Sequence, residues 1–265
     1  MCGRYAATKD PATLTAEFDA IYEVGPNKAT AEAHTPRADY NVAPTKNVLT
    51  VVQRHPRDAD GNVLNDEPAV RSLRLMRWGL VPFWAKDPSV GNRMINTRSE
   101  TAKEKPAFRK ALARHRCLVP ADGWFEWRRD GKKKDAFYMT GPDDASLAFA
   151  GIWESWRDPK ADADAQPLIT FSVLTTDAVG QLTDVHHRMP LLMPRDSWAT
   201  WLDPDREDVT ELLAPPSLEI VDGLELRPVS DRVNNVRNNG PELIERVDRE
   251  RQELDEGALF ELPSS

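Results

Sequence analysis

The chain has 265 residues, 40% of them hydrophobic, and a formal net charge of −8, a balance that supports one well-filled core and does not fit a disordered polymer. Its two cysteines, Cys2 and Cys117, lie far apart in sequence, which argues against a disulfide framework or a cysteine zinc site. No apolar run is long enough to cross a bilayer and no secretory signal is visible, so a cytoplasmic protein without a membrane partner is expected, nucleoid-associated if the source is bacterial.

Residues 10 to 24 read as a short amphipathic helix, with Asp10 as cap, Pro11 in the first turn and Leu14, Phe18, Ile21 and Tyr22 at helical spacing. Gly25 to Asp39 is polar, and Tyr40 to Thr45 leads into a strand-like run from Asn47 to Val52. A charged hairpin tip or surface loop is expected over 54–68. Alternation from Ser72 to Trp78 predicts a strand ended by Gly79 and Pro82. Residues 99 to 113 read as a basic helix interrupted near Pro106. Five short strands follow, at Cys117 to Val119, Gly123 to Arg128, Ala136 to Thr140, Ala148 to Glu154 and Ile169 to Thr175. Asp158 to Gln166 reads as an acidic surface loop, Ser197 to Trp201 and Val209 to Leu213 as helices, and Leu224 to Val229 as a strand. The expected fold is α+β, with a mostly antiparallel, curved or barrel-like β core and flanking helices. The expected organisation is one domain over 1–245 and a polar tail over 246–265.

The charge is distributed unevenly. Between Arg71 and Lys134 there are seventeen Lys and Arg against six Asp and Glu, an excess that fits either a polyanion partner or a solvated face balanced elsewhere in the fold. Cys2 is either a small second residue or, once Met1 is removed, a 1,2-aminothiol. An aminothiol condenses with an aldehyde through its amine and then closes through sulfur to a thiazolidine. Glu126 stands among aromatic residues in Gly123-Trp124-Phe125-Glu126-Trp127, a setting for proton transfer or for an ion pair with a nearby arginine. His186 and His187 are adjacent, and in extended chain only one of them faces a given site. Asn96 and Arg98, two residues apart, share one side of an extended segment, although Ser99 beside them is a natural helix cap. Arg77, Trp78, Phe83 and Trp84 mix cations and aromatics as single-strand binders do, and aromatic residues of a β core do the same.

Taken in order, Met1-Cys2-Gly3-Arg4-Tyr5, Tyr40-Asn41-Val42-Ala43-Pro44, Arg77-Trp78-Gly79-Leu80-Val81-Pro82, Ile95-Asn96-Thr97-Arg98-Ser99-Glu100-Thr101, Arg116 through Trp127, His186-His187-Arg188-Met189-Pro190 and Asn234-Asn235-Val236-Arg237-Asn238 closely resemble the motifs of the SOS response-associated peptidase (SRAP) family. The resemblance implies covalent capture of abasic sites in single-stranded DNA through a thiazolidine at Cys2, with Asn96 positioning the amine and sugar, Glu126 moving protons and His186 assisting ring opening. It implies DNA contacts from Arg4, Asn41, Pro44, Arg77, Trp78, Arg98, Trp127 and Arg188. A monomer without metal or other cofactor is expected. Self-removal of Met1 and a weak lyase activity are further expectations. The alternatives are a cysteine-nucleophile peptidase acting on protein and a non-catalytic reader of modified DNA.

Overall fold

A computed structural model describes residues 2–22, 37–131, 133–143, 145–162 and 164–248. In chain order, strand β1 (Arg4–Ala7) is followed by helix α1 (Pro11–Phe18), β2 (Ile21–Tyr22), β3 (Asp39–Val42), β4 (Asn47–Arg54), β5 (Val70–Trp78) and β6 (Asn96–Arg98). After helix Arg109–Arg114 come β7 (Arg116–Ala121), β8 (Gly123–Asp130), β9 (Lys133–Thr140), β10 (Leu147–Trp156), β11 (Leu168–Asp177) and β12 (Arg188–Pro190). Helices Trp198–Leu202 and Leu218–Asp222 precede β13 (Glu225–Pro228). The α+β, mostly antiparallel architecture agrees with the sequence expectation.

Strands β11, β10, β7, β4 and β5 pair in that order, and β5 returns to β11 in parallel through Arg77↔Thr170 and Trp78↔Phe171, so the five strands close into a ring. Alternation along each strand then divides the apolar side chains between the inside and outside of the barrel. Val48, Val52, Met76, Trp78, Val119, Phe149, Phe171 and Val173 belong to the inner cluster. Leu49, Val51, Leu73, Leu118, Ile152 and Leu174 pack outside it against Phe18, Leu112, Trp198 and Trp201 of the helices. The second sheet, ordered β13-β9-β8-β1-β3, covers one mouth. Tyr5 of β1 meets Trp78 edge-on at 5.2 Å and Phe149 at 6.0 Å, and Trp124 of β8 meets Phe149 at 6.0 Å.

Outside the barrel, Arg116 is buried and donates to the carbonyls of Leu112, Ala113, Trp201, Asp203 and Arg206, tying helix Trp198–Leu202 and the following loop to β7. This satisfies carbonyls that burial would otherwise strand.

Several elements differ from their sequence expectation. The first helix ends at Phe18, and Asp19 adopts φ 49 at its C-cap. Ile21 and Tyr22 instead pair in parallel with Ser72 and Leu73 of β5, leaving Ile21 exposed. The expected 99–113 helix is a 3-10 turn at Ser99–Thr101 and a short helix at Arg109–Arg114, separated around Pro106. Val209 to Leu213 forms only a 3-10 turn, Thr210–Leu212. Helix Leu218–Asp222 and strands β1, β3, β6 and β12 had no clear periodicity because each is only three to five residues long. Most of the polar segment from Gly25 to Asp39, and the expected tail from residue 249 on, lie outside the described residues. Among the described residues no helix is long and apolar enough to cross a membrane.

Candidate active site

The capped mouth of the barrel brings together the four residues expected to do chemistry. Strand β1 runs antiparallel to β8 with Arg4 opposite Phe125 and Tyr5 opposite Trp124, so Cys2 enters the fold alongside the end of the aromatic motif. On β8, Trp124 packs into the barrel cluster while Phe125 and Trp127 belong to the cluster behind the sheet. Alternation therefore turns Glu126 towards the barrel, on the side of Cys2. Asn96 comes from β6, held parallel to β11 by the Asn96↔Val173 register. The neighbouring Thr97 hydroxyl bonds to Ser172 at 2.8 Å on the other face. This leaves the Asn96 amide free to donate to the Cys2 carbonyl at 2.7 Å. His186 follows the 3-10 turn Gly180–Asp184, its backbone N–H donating to Leu182.

Electrostatics links these groups. Burial pushes the Cys2 thiol well above its ordinary range, and the charge of Glu126 pushes it further in the same direction, so the sulfur is held as a thiol. His186 is lowered by burial, an effect that Glu126 opposes. One ring nitrogen of His186, Nδ1, accepts the Arg188 backbone N–H at 2.9 Å. The same nitrogen lies 3.2 Å from the Arg188 carbonyl, so the Arg188 backbone orients the ring. Glu126 itself is buried, and its charge acts on both Cys2 and His186. A thiol, an amide donor, a carboxylate and an imidazole thus act on one another around Cys2, an assembly suited to nucleophilic addition with proton transfer.

The residues expected to meet DNA are more dispersed. Arg98 is exposed and shares the Asn96 side of β6. Arg77 donates to Asn92 at 3.1 Å. Pro44 lies half-buried in the turn after β3, just before Thr45 at φ 76. Arg4 donates to Asn41 at 2.7 Å and to the Val233 carbonyl at 2.9 Å, and it lies 6.0 Å from the Trp127 ring. Trp127 donates to Asn234 at 2.8 Å.

Three of these expectations are changed by the structure. Trp78 is fully buried inside the barrel with its indole N–H on Ile95, so it supports the core and has no face to offer a base. Asn41 is also buried, and its amide donates to the carbonyls of Val233, Asn235 and Asn238, stapling the loop that holds Trp127. The guanidinium of Arg188 is buried between Glu100 and Asp177, 2.6 Å from each. A phosphate at Arg188 would have to compete with two carboxylates already in place.

Of the aromatics in the Arg77–Trp84 motif, the exposed pair is Phe83 and Trp84. Phe83 and Trp84 are 54% and 55% exposed, on the excursion between β5 and β6. Its neck is pinched where Gly79 meets Gly91: a Cβ on Gly79 would lie 2.6 Å from the Gly91 carbonyl oxygen, and Gly79 itself has φ 119. Bonds from Leu80 to Met94 and from Trp78 to Ile95 close the neck immediately before Asn96. The available signal was the position of Phe83 and Trp84 beyond Gly79 and Pro82, after the strand had ended.

Fold and site define a class of α+β protein in which a sheet caps a closed barrel and a cysteine at the start of the chain is ringed by Asn, Glu and His. The family model described as SOS response associated peptidase (SRAP) matches residues 1–236, and the chain belongs to that family. It is 37% identical over 250 residues to the abasic site processing protein YoqW of Bacillus subtilis, a match covering 92% of this chain and 99% of the relative. Similarity to the abasic site processing protein HMCES of Xenopus tropicalis is 28% identity over 275 residues, covering 92% of this chain and 78% of that one. A solved structure from Bacteroides thetaiotaomicron shares the fold, with a TM-score of 0.74 at 23% identity over 93% of this chain and 100% of the other.

Proposed function

We propose that this protein processes abasic sites in DNA by capturing them covalently on Cys2 after removal of Met1. The observation that carries the reading is the convergence of Asn96 on the Cys2 carbonyl at 2.7 Å with a Glu126 charge that reaches both Cys2 and His186. The relatives' description as abasic site processing proteins supports the same substrate.

In this scheme the ring-opened deoxyribose presents its C1′ aldehyde to the α-amine of mature Cys2. The amine adds to the carbonyl, the carbinolamine loses water, and an imine forms. The thiol then adds across the C=N bond, its proton passing to nitrogen, and the product is a thiazolidine. Glu126 serves as the proton carrier at both addition steps. His186, oriented by the Arg188 backbone, donates a proton towards the ring oxygen as the sugar opens. A thiol held in its protonated form is a poor peptidase nucleophile, whereas here it acts only after the imine exists, so the geometry favours this scheme over proteolysis of other chains. The condensation releases one water, and the S–H addition to C=N needs no oxidant or reductant. Partition of the imine to β-elimination accounts for a minor lyase activity.

Single-stranded DNA is the substrate form in this reading, with Arg98 and Arg77 near its phosphates and Phe83 and Trp84 stacking on its bases. The test is an intact-mass measurement of mature protein after incubation with an abasic oligonucleotide. A denaturation-resistant adduct is expected for the wild type and none for Cys2→Ala; an adduct in Cys2→Ala overturns the assignment. Retention of Met1 in active protein overturns the aminothiol mechanism.

A further inference from the structure

Many cations of this acidic chain are neutralised within the fold, as in Lys46 with Asp39, Arg206 with Glu211, Arg227 with Glu225 and Arg232 with Glu242. The basic segment around helix Arg109–Arg114 is divided. On one side, Lys103 pairs with Asp208 and Arg114 with Glu207. Lys105, Arg109 and Lys110 are all exposed, and no ion pair neutralises any of them among the described residues. The Arg109 N–H donates to the Lys105 carbonyl at 2.9 Å, a helical turn that sets these two side chains on one face.

Lys110, next to Arg109 along the helix, carries this basic run to the exposed aromatics, and its charge is also felt by Glu154. The Lys110 Nζ lies 4.9 Å from the Phe83 ring, which places it at the outer end of the excursion whose neck closes beside Asn96. Neighbouring like charges repel when no carboxylate separates them, and a polyanion relieves that repulsion while releasing its own counterions. An aromatic ring beside such cations is the arrangement that stacks a base while holding its phosphate.

We propose that Lys105, Arg109 and Lys110, together with Phe83, form a second DNA contact surface outside the lesion pocket that binds the phosphates of the strand continuing away from the abasic nucleotide. The inference rests on the reading of Cys2 as the capture site, because that reading puts the damaged strand at the neck of the excursion. It adds a direction: DNA leaves the site over Phe83 and onto helix Arg109–Arg114.

The experiment compares full-length mature protein with the triple variant Lys105→Gln, Arg109→Gln, Lys110→Gln. Each is titrated over a range of NaCl with a short abasic strand ending beside the lesion and with two strands extended on one side or the other. Wild-type protein is expected to bind one extended strand more tightly than the short strand. In the variant that advantage collapses, and the salt slope on that strand falls by about two, for three phosphate contacts on single-stranded DNA. Lys103→Gln, on the paired side, keeps the wild-type slope and serves as the fold-neutral comparison. Lys110→Glu, a single exposed change, is expected to weaken the extended complex in the same direction. If the extended strand keeps its advantage in the triple variant, the surface is refuted. Failure of the capture reading is read separately, as absence of a covalent adduct on the short strand with wild-type protein.

Discussion

Replacing Glu126 by Gln removes one buried charge while nearly conserving volume, and its consequences run in two directions. The Glu126 charge raises the Cys2 thiol and opposes the lowering of His186. In Glu126→Gln the Cys2 thiol therefore becomes easier to ionise, and His186 titrates still lower and remains neutral to more acidic pH. If thiolate supply limited capture, the variant would react faster. Proton transfer by Glu126 predicts the reverse, a loss of about 100-fold or more in the adduct-forming step. Single-turnover adduct formation on an abasic strand across a pH series measures the rate, and histidine resonances measure the His186 shift. Binding of an undamaged strand is not expected to weaken, because a negative charge near the DNA has been removed. A wild-type rate in the variant, or a His186 pKa that rises, would refute the electrostatic argument.

Trp78 and Trp84 separate core from surface. Trp78→Ala is expected to destabilise the fold by about 3–5 kcal/mol, whereas Trp84→Ala leaves the denaturation midpoint near wild type and weakens binding of single-stranded DNA; equal effects on stability would show that Trp84 is packed in solution. Arg116→Met leaves five carbonyls without their donor, two of those bonds buried, at a cost of about 3 kcal/mol or more, measured by urea unfolding; a neutral outcome would mean that water replaces the guanidinium. Burial pushes His115 down to about 4, with Lys110 and Arg54 acting in the same direction. The unfolded chain then takes up a proton that the folded chain refuses as pH falls from the ordinary histidine range towards that value, and stability falls with it. His115→Gln should flatten this part of the stability profile; an unchanged acid dependence would show that His115 takes its proton in the fold, paired with Glu154 at 3.6 Å.

Legibility in the sequence followed element length and periodicity. The five strands from β7 to β11 were visible because each repeats its inside-outside alternation several times between turn residues. Three other strands around the site were not. β1, β6 and β12 have three or four residues each, too few for a period, and their conformation depends on partners supplied by β8 and β11. Trp78 resembles Phe83 and Trp84 in composition and differs in place: it lies on β5, whose closure onto β11 turns it inward, while the other two follow Gly79 and Pro82 beyond the strand.

The sequence by itself determined the functional groups available: a thiol at Cys2, an amide in Ile95-Asn96-Thr97-Arg98, a carboxylate framed by tryptophans and a histidine before Arg188-Met189-Pro190. It also determined the strand-rich core, since hydrophobic alternation is a local property of the chain. Tertiary structure decided which of the cations are available to a ligand. Arg188 and Arg116 are as basic in composition as Arg98 or Arg109, yet the first is held by two carboxylates and the second by backbone carbonyls, while the other two remain exposed. Availability of a charge depends on partners distant in sequence and on burial, and neither is encoded in the residues beside it.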